Sequence, residues 1–103
     1  MSLIGAAAQQ GNGTVEGFKL SGYAASDTAA YCAGSVTAVD IYTVSSYGDF
    51  QSIFDATATI YSDRFLTTIA ASKSYGDNPG APGEKNFDWD SRRLSWSAMN
   101  VCS

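Results

Sequence analysis

The clearest alternation of apolar and polar positions lies in the last fifth of the chain. Phe87 and Trp89 alternate with acidic residues in the stretch 86–89, and a second alternating run covers 94–102. A period of two on both arms predicts an antiparallel hairpin with one apolar face. The polar residues 90–93 between the two arms predict its turn.

Weaker strand patterns occur earlier in the sequence. Residues 14–20 alternate loosely, which predicts a strand. The run 36–44 is rich in β-branched residues and predicts a strand with Val39 and Ile41 turned inward. Residues 67–74 predict one more strand.

The stretch 57–61 predicts a strand that runs into a tight turn. Thr, Ile and Tyr suit a pleated surface, and the short side chains of Ser62 and Asp63 can hydrogen-bond the local backbone. Phe65 follows at once, so we expect the turn to fold back against a core. Residues 50–54 fit either a strand or a short helical turn.

Residues 1–31 differ from the rest of the chain. They carry few charges and much Ala, Gly and Ser. We interpret residues 1–13 as an arm that becomes ordered only when another molecule holds it. Ser26 and Asp27 precede Thr28 and predict the N-cap of one helical turn. We therefore divide the chain into an arm at 1–31 and a β domain at 32–103. Its roughly five to seven short strands favour an all-β fold, a small antiparallel sandwich or open barrel.

Composition narrows the class of protein. Apolar residues make up 45% of the chain and charged residues 16%, which is typical of a folded domain. The net charge of −4 and the scattered basic residues argue against a nucleic-acid partner. No apolar run approaches roughly 18 residues, so we expect no membrane span. The first residues lack the pattern of a signal peptide, so we expect no export by the common route.

The chemistry available for catalysis is sparse. The chain has no His, so a nucleophilic Ser or Cys has no imidazole to act as its base. We therefore predict no enzyme, no cofactor and no metal. Asp88 and Asp90 share a strand face and, with Asp77, Asn78 and Glu84, could ligate calcium, but a solvated acidic face is the favoured interpretation.

The aromatic side chains allow two interpretations. Trp89, Trp96 and Tyr75 could form a platform on which a glycan stacks. Aromatic alternation in a hairpin is, however, more typical of core and cross-strand packing.

The two cysteines also leave two alternatives open. A disulfide between Cys32 and Cys102 would close a loop of about 70 residues and contribute roughly 4 kcal/mol in the entropic model. Because no export signal is visible, two buried free thiols are the slightly favoured alternative.

One resemblance extends this interpretation. Several short pieces of the chain, taken in order, resemble a small β module. They are Tyr31-Cys32, 36–42, Ile60-Tyr61-Ser62-Asp63, Leu66-Thr67-Thr68, the aromatic strand and Val101-Cys102. That module is common in virion proteins of phages that infect Bacteroidetes, including the crAss-like phages. The resemblance implies a structural virion protein located in the virion, most often an auxiliary or decoration protein on the capsid. A tail or portal-proximal component and a carbohydrate-binding adhesion module are the alternatives.

The implied partner is the major capsid protein or another virion subunit, with a glycan as a further partner in the adhesion alternative. An acidic β domain with a low-charge arm could dock on such a shell through its apolar side chains. We expect four anchors for this docking, Leu3, Ile4, Phe18 and Leu20.

Overall fold

The computed structural model describes residues 15–79 and 81–103. It contains five strands and two short helices, with the bounds β1 Phe18–Ala25, α1 Thr28–Cys32, β2 Thr37–Thr43, α2 Phe50–Asp55, β3 Ser74–Gly76, β4 Lys85–Asp90 and β5 Ser95–Val101. The strands form one antiparallel sheet in the order β2-β1-β3-β4-β5. The predicted all-β class is confirmed, with the strands arranged as a single sheet that carries one helix on each face.

Strand β1 lies inside the sheet. One edge of β1 pairs with β2, and this pairing begins with Phe18 opposite Thr43. The other edge pairs with β3, where Tyr23 lies opposite Gly76. Residues 18–31, which the sequence analysis placed in the arm, are therefore part of the sheet and its covering helix. The expected anchors Leu3 and Ile4 lie outside the described residues.

Two glycines allow the helices to approach the sheet closely. A Cβ atom added at Gly22 would lie 2.5 Å from the ring of Phe50 on α2. A Cβ atom added at Gly76 would collide with the hydroxyl of Tyr31 on α1. Gly22 lies under α2 on one face of the sheet, and Gly76 lies under α1 on the other. A side chain at either position would prevent the helix above it from packing this close to the sheet.

Helix α2 covers the face that carries the main core. Asp49 caps its first turn, with the carboxylate accepting a hydrogen bond from the Ser52 amide at 2.8 Å. The helix ends where Thr57 adopts a left-handed φ of 52° and Ala58 N donates to Ile53 O. The core on this face contains nine buried residues, Ala24, Ile41, Phe50, Ile53, Ile60, Ala70, Tyr75, Phe87 and Trp89.

The segment 56–73 completes this layer as irregular chain. The strands predicted at 57–61 and 67–74 are wrong: Tyr61 makes only isolated bridges, to Tyr42 and Ile69. Left-handed residues at Thr57 and Leu66 turn the backbone away from a continuous strand. Burial of Ile60 and Ala70 therefore follows from packing against α2 and the sheet.

Helix α1 covers the other face near β1, β3 and β4. Asp27 is its N-cap, as predicted, and its carboxylate accepts a hydrogen bond from the Ala30 amide at 2.8 Å. The helix ends at Cys32 with Ala33 as its C-cap, and Gly34 follows in the left-handed region with a φ of 82°. Tyr31 is fully buried on this side and donates its hydroxyl to the carbonyl of Asn78 at 2.7 Å.

Strands β4 and β5 form the predicted hairpin. Phe87 and Trp89 are turned into the core with 1% and 3% of their surface exposed. A β-bulge shifts the register between Asp88 and Trp89, so that Trp89 lies opposite Trp96. Leu94, expected to continue the apolar face, instead ends the turn with a left-handed φ and is exposed.

Candidate functional site

The candidate site is a group of exposed apolar side chains at the end of the sheet where β1 begins. Val15, Phe18, Val44 and Phe65 expose 50%, 52%, 67% and 42% of their surface. We call these four residues the entry cluster, since the chain enters the sheet there. Isolated apolar side chains are common on protein surfaces, but a group of them at one end is typical of a contact surface.

Backbone pairing places the segments that carry Phe18, Val44 and Phe65 at the same end of the sheet. Phe18 lies opposite Thr43, which places Val44 beside the start of β1. Gly17 N donates to Arg64 O at 2.6 Å, which ties the loop carrying Phe65 to the same end. A Cβ atom at Gly17 would lie 2.5 Å from the end of the Leu66 side chain and 3.1 Å from Thr43 O, so glycine lets these segments approach without displacing Leu66.

The loop that presents Phe65 is organised by one carboxylate. Asp63 accepts hydrogen bonds from the amides of Thr67 and Thr68 at 3.0 and 2.9 Å, and from the Thr67 hydroxyl at 2.5 Å. The Thr67 hydroxyl, followed by the Thr68 amide, holds the pKa of Asp63 below its usual range. The predicted polar turn at Ser62 and Asp63 is thus present.

This turn holds Phe65 outward, contrary to the expectation that it would fold back against the core. The guanidinium of Arg64 lies 4.8 Å from the centre of the Phe65 ring, a cation–π contact on the surface. The entry cluster therefore offers apolar area and one cation. Such a surface can bind another protein.

The two described anchors predicted from the sequence differ in position. Phe18 is half exposed and belongs to the entry cluster. Leu20 packs against the core on the α2 face, opposite Ile41, so it is not free to anchor a partner. Sequence reasoning overlooked Val15, Val44 and Phe65, whose exposure depends on the pairing of three distant segments.

Of the three aromatic side chains proposed as glycan-facing, Trp89 and Tyr75 lie in the core and Trp96 packs against it, partly buried. Trp89 and Tyr75 each expose only 3% of their surface. The indole nitrogen of Trp89 donates to Ala70 O at 2.9 Å, and that of Trp96 donates to Ala58 O at 2.8 Å. These rings pack with one another, since Trp89 and Trp96 have centroids 5.0 Å apart, and they offer no open stacking platform.

Cys32 and Cys102 form a disulfide whose Cα atoms are 5.4 Å apart. The slightly favoured alternative of two free thiols is therefore wrong. The pairing arises because Cys102, which follows β5, is buried with Tyr31 of α1 on the face of the sheet that α1 covers. Asn86, which is buried, directs its amide nitrogen at the two sulfurs at 3.8 and 4.0 Å.

A row of polar side chains extends from this disulfide across the sheet. Asn86 Oδ1 accepts from Thr28 Oγ1 at 3.0 Å and from Asn100 Nδ2 at 3.3 Å. Asp88 accepts from Asn100 Nδ2 at 3.2 Å and from Ser74 Oγ at 2.6 Å. Each polar side chain of this row therefore has a partner on a neighbouring element.

The acidic residues considered as calcium ligands do not converge. Asp88 belongs to the polar row, whereas Asp90 accepts hydrogen bonds from the amides of Arg92 and Arg93 in the hairpin turn. Burial, together with the nearby Asp49 and Glu84, raises the pKa of Asp77. Within residues 15–79 and 81–103, no group of three metal-binding side chains is found.

One surface depression is a shallow groove of about 560 Å³ between β1, β2 and the turn after β3. Ser21 Oγ donates to Asp40 Oδ1 at 2.6 Å at its wall. Asp77 and Asn78 lie at its other side. The groove is open and polar, and the hydroxyl in it is bonded to a carboxylate with no imidazole nearby.

Comparison with protein-family models, with curated proteins and with solved structures finds no match for this chain. None of the helices in the described residues is long and apolar enough to cross a membrane.

Proposed function

We propose that this chain is a non-enzymatic structural protein of a phage virion, most specifically an auxiliary or decoration protein that docks on the capsid. The entry cluster is the observation that carries the proposal. It is apolar, it lies at one end of a small sheet, and residues 1–14 join it directly at Val15. The partner is the major capsid protein or another virion subunit.

The arrangement suits a protein that is added to a larger shell. Docking through one end leaves both faces of the sheet, each with its own helix, outside the contact. The resemblance of residues 32–102 to a module of phage virion proteins supplies the class of partner. The disulfide supports the same assignment, because disulfides persist on virions and are rare in a reducing cytoplasm.

The first experiment is quantitative mass spectrometry of virions purified from the phage that encodes the chain. We expect this protein at high copy number relative to the main shell subunit. A few copies per particle would move the assignment to a tail or portal-proximal component. Absence from the particle would overturn the virion proposal, and a glycan-binding role outside the particle would then be tested on a glycan array.

A binding experiment tests the role of the entry cluster itself. Purified chain is added to particles assembled without it, and the bound fraction is measured after sedimentation. We expect Phe18→Ser combined with Val44→Ser to remove at least nine-tenths of the binding, on the order of a 1.4 kcal/mol loss or more. Deletion of residues 2–13 tests the contribution of the arm in the same assay.

Leu94→Ser is the matched control. Leu94 exposes 47% of its surface, which is similar to Phe18, but it lies in the hairpin turn at the opposite end of the strands. Binding should be unchanged in this variant. Equal losses in Leu94→Ser and in the entry-cluster variant would contradict a specific docking end.

A further inference from the structure

The two edges of the sheet differ in how they are protected. At the β2 edge, Tyr42 exchanges two backbone hydrogen bonds with Tyr61, each of 2.9 Å. Asp40 adds a charge in the middle of this strand. A covered backbone and a central charge are the usual protection against pairing with another chain.

Within residues 15–79 and 81–103, the β5 edge has neither form of protection. In the part of the chain that the structure describes, β5 pairs only with β4. Its seven residues include no charged residue, no Pro and no Gly. A long uncharged edge strand presents unpaired N–H and C=O groups as a template for another strand.

The backbone groups that face outward from β5 can be identified. Cys102 N donates inward to Glu84 O at 2.8 Å, so by the alternation of an antiparallel ladder Asn100 also faces β4. Val101 and Met99 then direct their N–H and C=O groups to the open edge. The Trp89 amide is consistent with this alternation. It donates to Lys73 O at 3.0 Å, on the side of β4 away from β5.

The same two residues carry exposed apolar side chains. Met99 exposes 44% and Val101 exposes 55% of its surface. Met99 lies opposite Phe87 and therefore points to the α2 face, where it extends the apolar core to the rim of the sheet. The outward backbone groups and the exposed apolar side chains thus coincide at the same positions.

We propose that β5 pairs with β5 of a second copy of this chain, antiparallel about a two-fold axis near Asn100. This axis places Met99 of one copy beside Val101 of the other, so the apolar rims of two cores meet. The absence of charge on β5 favours a second copy, because self-pairing puts no like charges opposite one another. The two sheets then continue as one ten-stranded sheet. The inference is independent of the virion proposal.

The expected dimer is a weak one. A single strand edge buries less than the roughly 800 Å² per partner of a standard interface, so we expect a dissociation constant in the micromolar range. Sedimentation velocity over a dilution series should show a reversible monomer–dimer equilibrium. A wild-type chain that stays monomeric over the whole series would overturn the proposal.

Backbone amide exchange gives a readout specific to the proposed edge. The amides of Met99 and Val101 should exchange more slowly as the protein concentration rises, at least tenfold between the monomeric and dimeric ends of the series. The amide of Asn100 is already bonded to β4 and should be unchanged. Concentration-dependent protection elsewhere, with none at Met99 and Val101, would place the interface on another surface and refute the proposed edge.

A variant with charged residues on β5 tests the same edge. Met99→Lys combined with Val101→Lys places like charges together across the two-fold axis, and we expect at least a tenfold weaker dimer. Leu94→Lys, an exposed apolar position in the turn of the same hairpin, should leave the equilibrium unchanged. Circular dichroism checks that the variants keep the fold. A folded edge variant that dimerises like the wild type would overturn the proposal, whatever happens in the particle-binding assay.

Discussion

The two faces of the sheet are covered in different ways. On the α2 face, nine buried residues form one cluster in which aromatic rings contact each other, such as Phe54 with Phe87 at 5.2 Å. On the α1 face, the buried cluster within the described part of the chain consists of Ala25, Tyr31 and Cys102. Four partly buried side chains pack against this small cluster, and the polar row and the disulfide lie on the same face.

This difference shows how a domain of this size can hold two layers on one sheet. A chain of about 100 residues supplies enough apolar area for one modest core. The second face then needs other sources of stability. A covalent bond constrains the unfolded chain, and a polar row whose members are all paired avoids the cost of burying polar groups.

The largest expected effect comes from removing the disulfide on the α1 face. Cys32→Ala combined with Cys102→Ala should lower the free energy of unfolding by about 4 kcal/mol, given a closed loop of 70 residues. Urea denaturation measures the loss. Reducing agent should destabilise the wild type by a similar amount and leave the double variant unaffected. A loss below about 1 kcal/mol would mean that packing alone holds α1.

The corresponding test on the α2 face is Trp89→Phe. This change removes the only indole donor to the buried carbonyl of Ala70, and we expect a loss of about 2 kcal/mol from the unsatisfied group and the smaller ring. Trp96→Phe is the control, since Trp96 makes the same kind of bond to Ala58 but is only partly buried. It should cost about half as much in the same denaturation experiment. Equal losses would show that burial does not decide the value of these bonds.

A titration compares the two faces through one buried tyrosine on each. Burial raises the pKa of Tyr31 and of Tyr75 to about 12, from an ordinary value of 10.0. The folded state therefore holds these protons more tightly than the unfolded state. The contribution of these two groups to the free energy of unfolding is fully present below pH 10. It should be lost as the pH rises from 10 to about 12.

Single replacements separate the two contributions. Tyr31→Phe and Tyr75→Phe should each remove part of the alkaline loss of stability, measured as the change in urea midpoint with pH. The acidic neighbours Asp77 and Glu84 add to the shift at Tyr31, whereas burial alone acts on Tyr75. Added salt should therefore reduce the effect more at Tyr31. An identical response to salt at both positions would refute this distinction.

The smallest expected effects concern the ends of the two helices. Helix α1 ends with Gly34 in the left-handed region, whereas α2 ends with Thr57 in the same region. We expect Gly34→Ala to cost about 1 kcal/mol and Thr57→Gly to add about 0.5 kcal/mol, because a β-branched residue is strained there and glycine is not. Thermal unfolding of both variants checks the opposite signs. Changes of the same sign would contradict this explanation.

The elements that sequence reasoning found are those with local signals. The hairpin of β4 and β5 was visible because large aromatic side chains alternate with acidic ones. The cap at Asp27 needs only the residues of its own helix. The extent of β1 was missed, since Gly22, Ala24 and Ala25 are small and show no alternation, and their pairing depends on β2 and β3.

Propensity was misleading where tertiary packing decides. The Thr-rich stretch before Tyr61 suits a strand, yet it follows α2 directly as irregular chain, and the indole of Trp96 donates to its Ala58 carbonyl. The candidate site was only half predictable for a similar reason. Phe18 was expected at a contact surface. The exposure of Phe65 follows from the turn built around Asp63, and the pattern of apolar residues does not predict it.

The disulfide also gives the chain a closed topology. Cys32 and Cys102 are 70 positions apart, so β2, α2, β3, β4 and β5 all lie within one covalent ring. A single protease cut anywhere in that ring opens it but releases no fragment. A nicked molecule would keep its mass apart from one added water, and the two pieces would separate only after reduction.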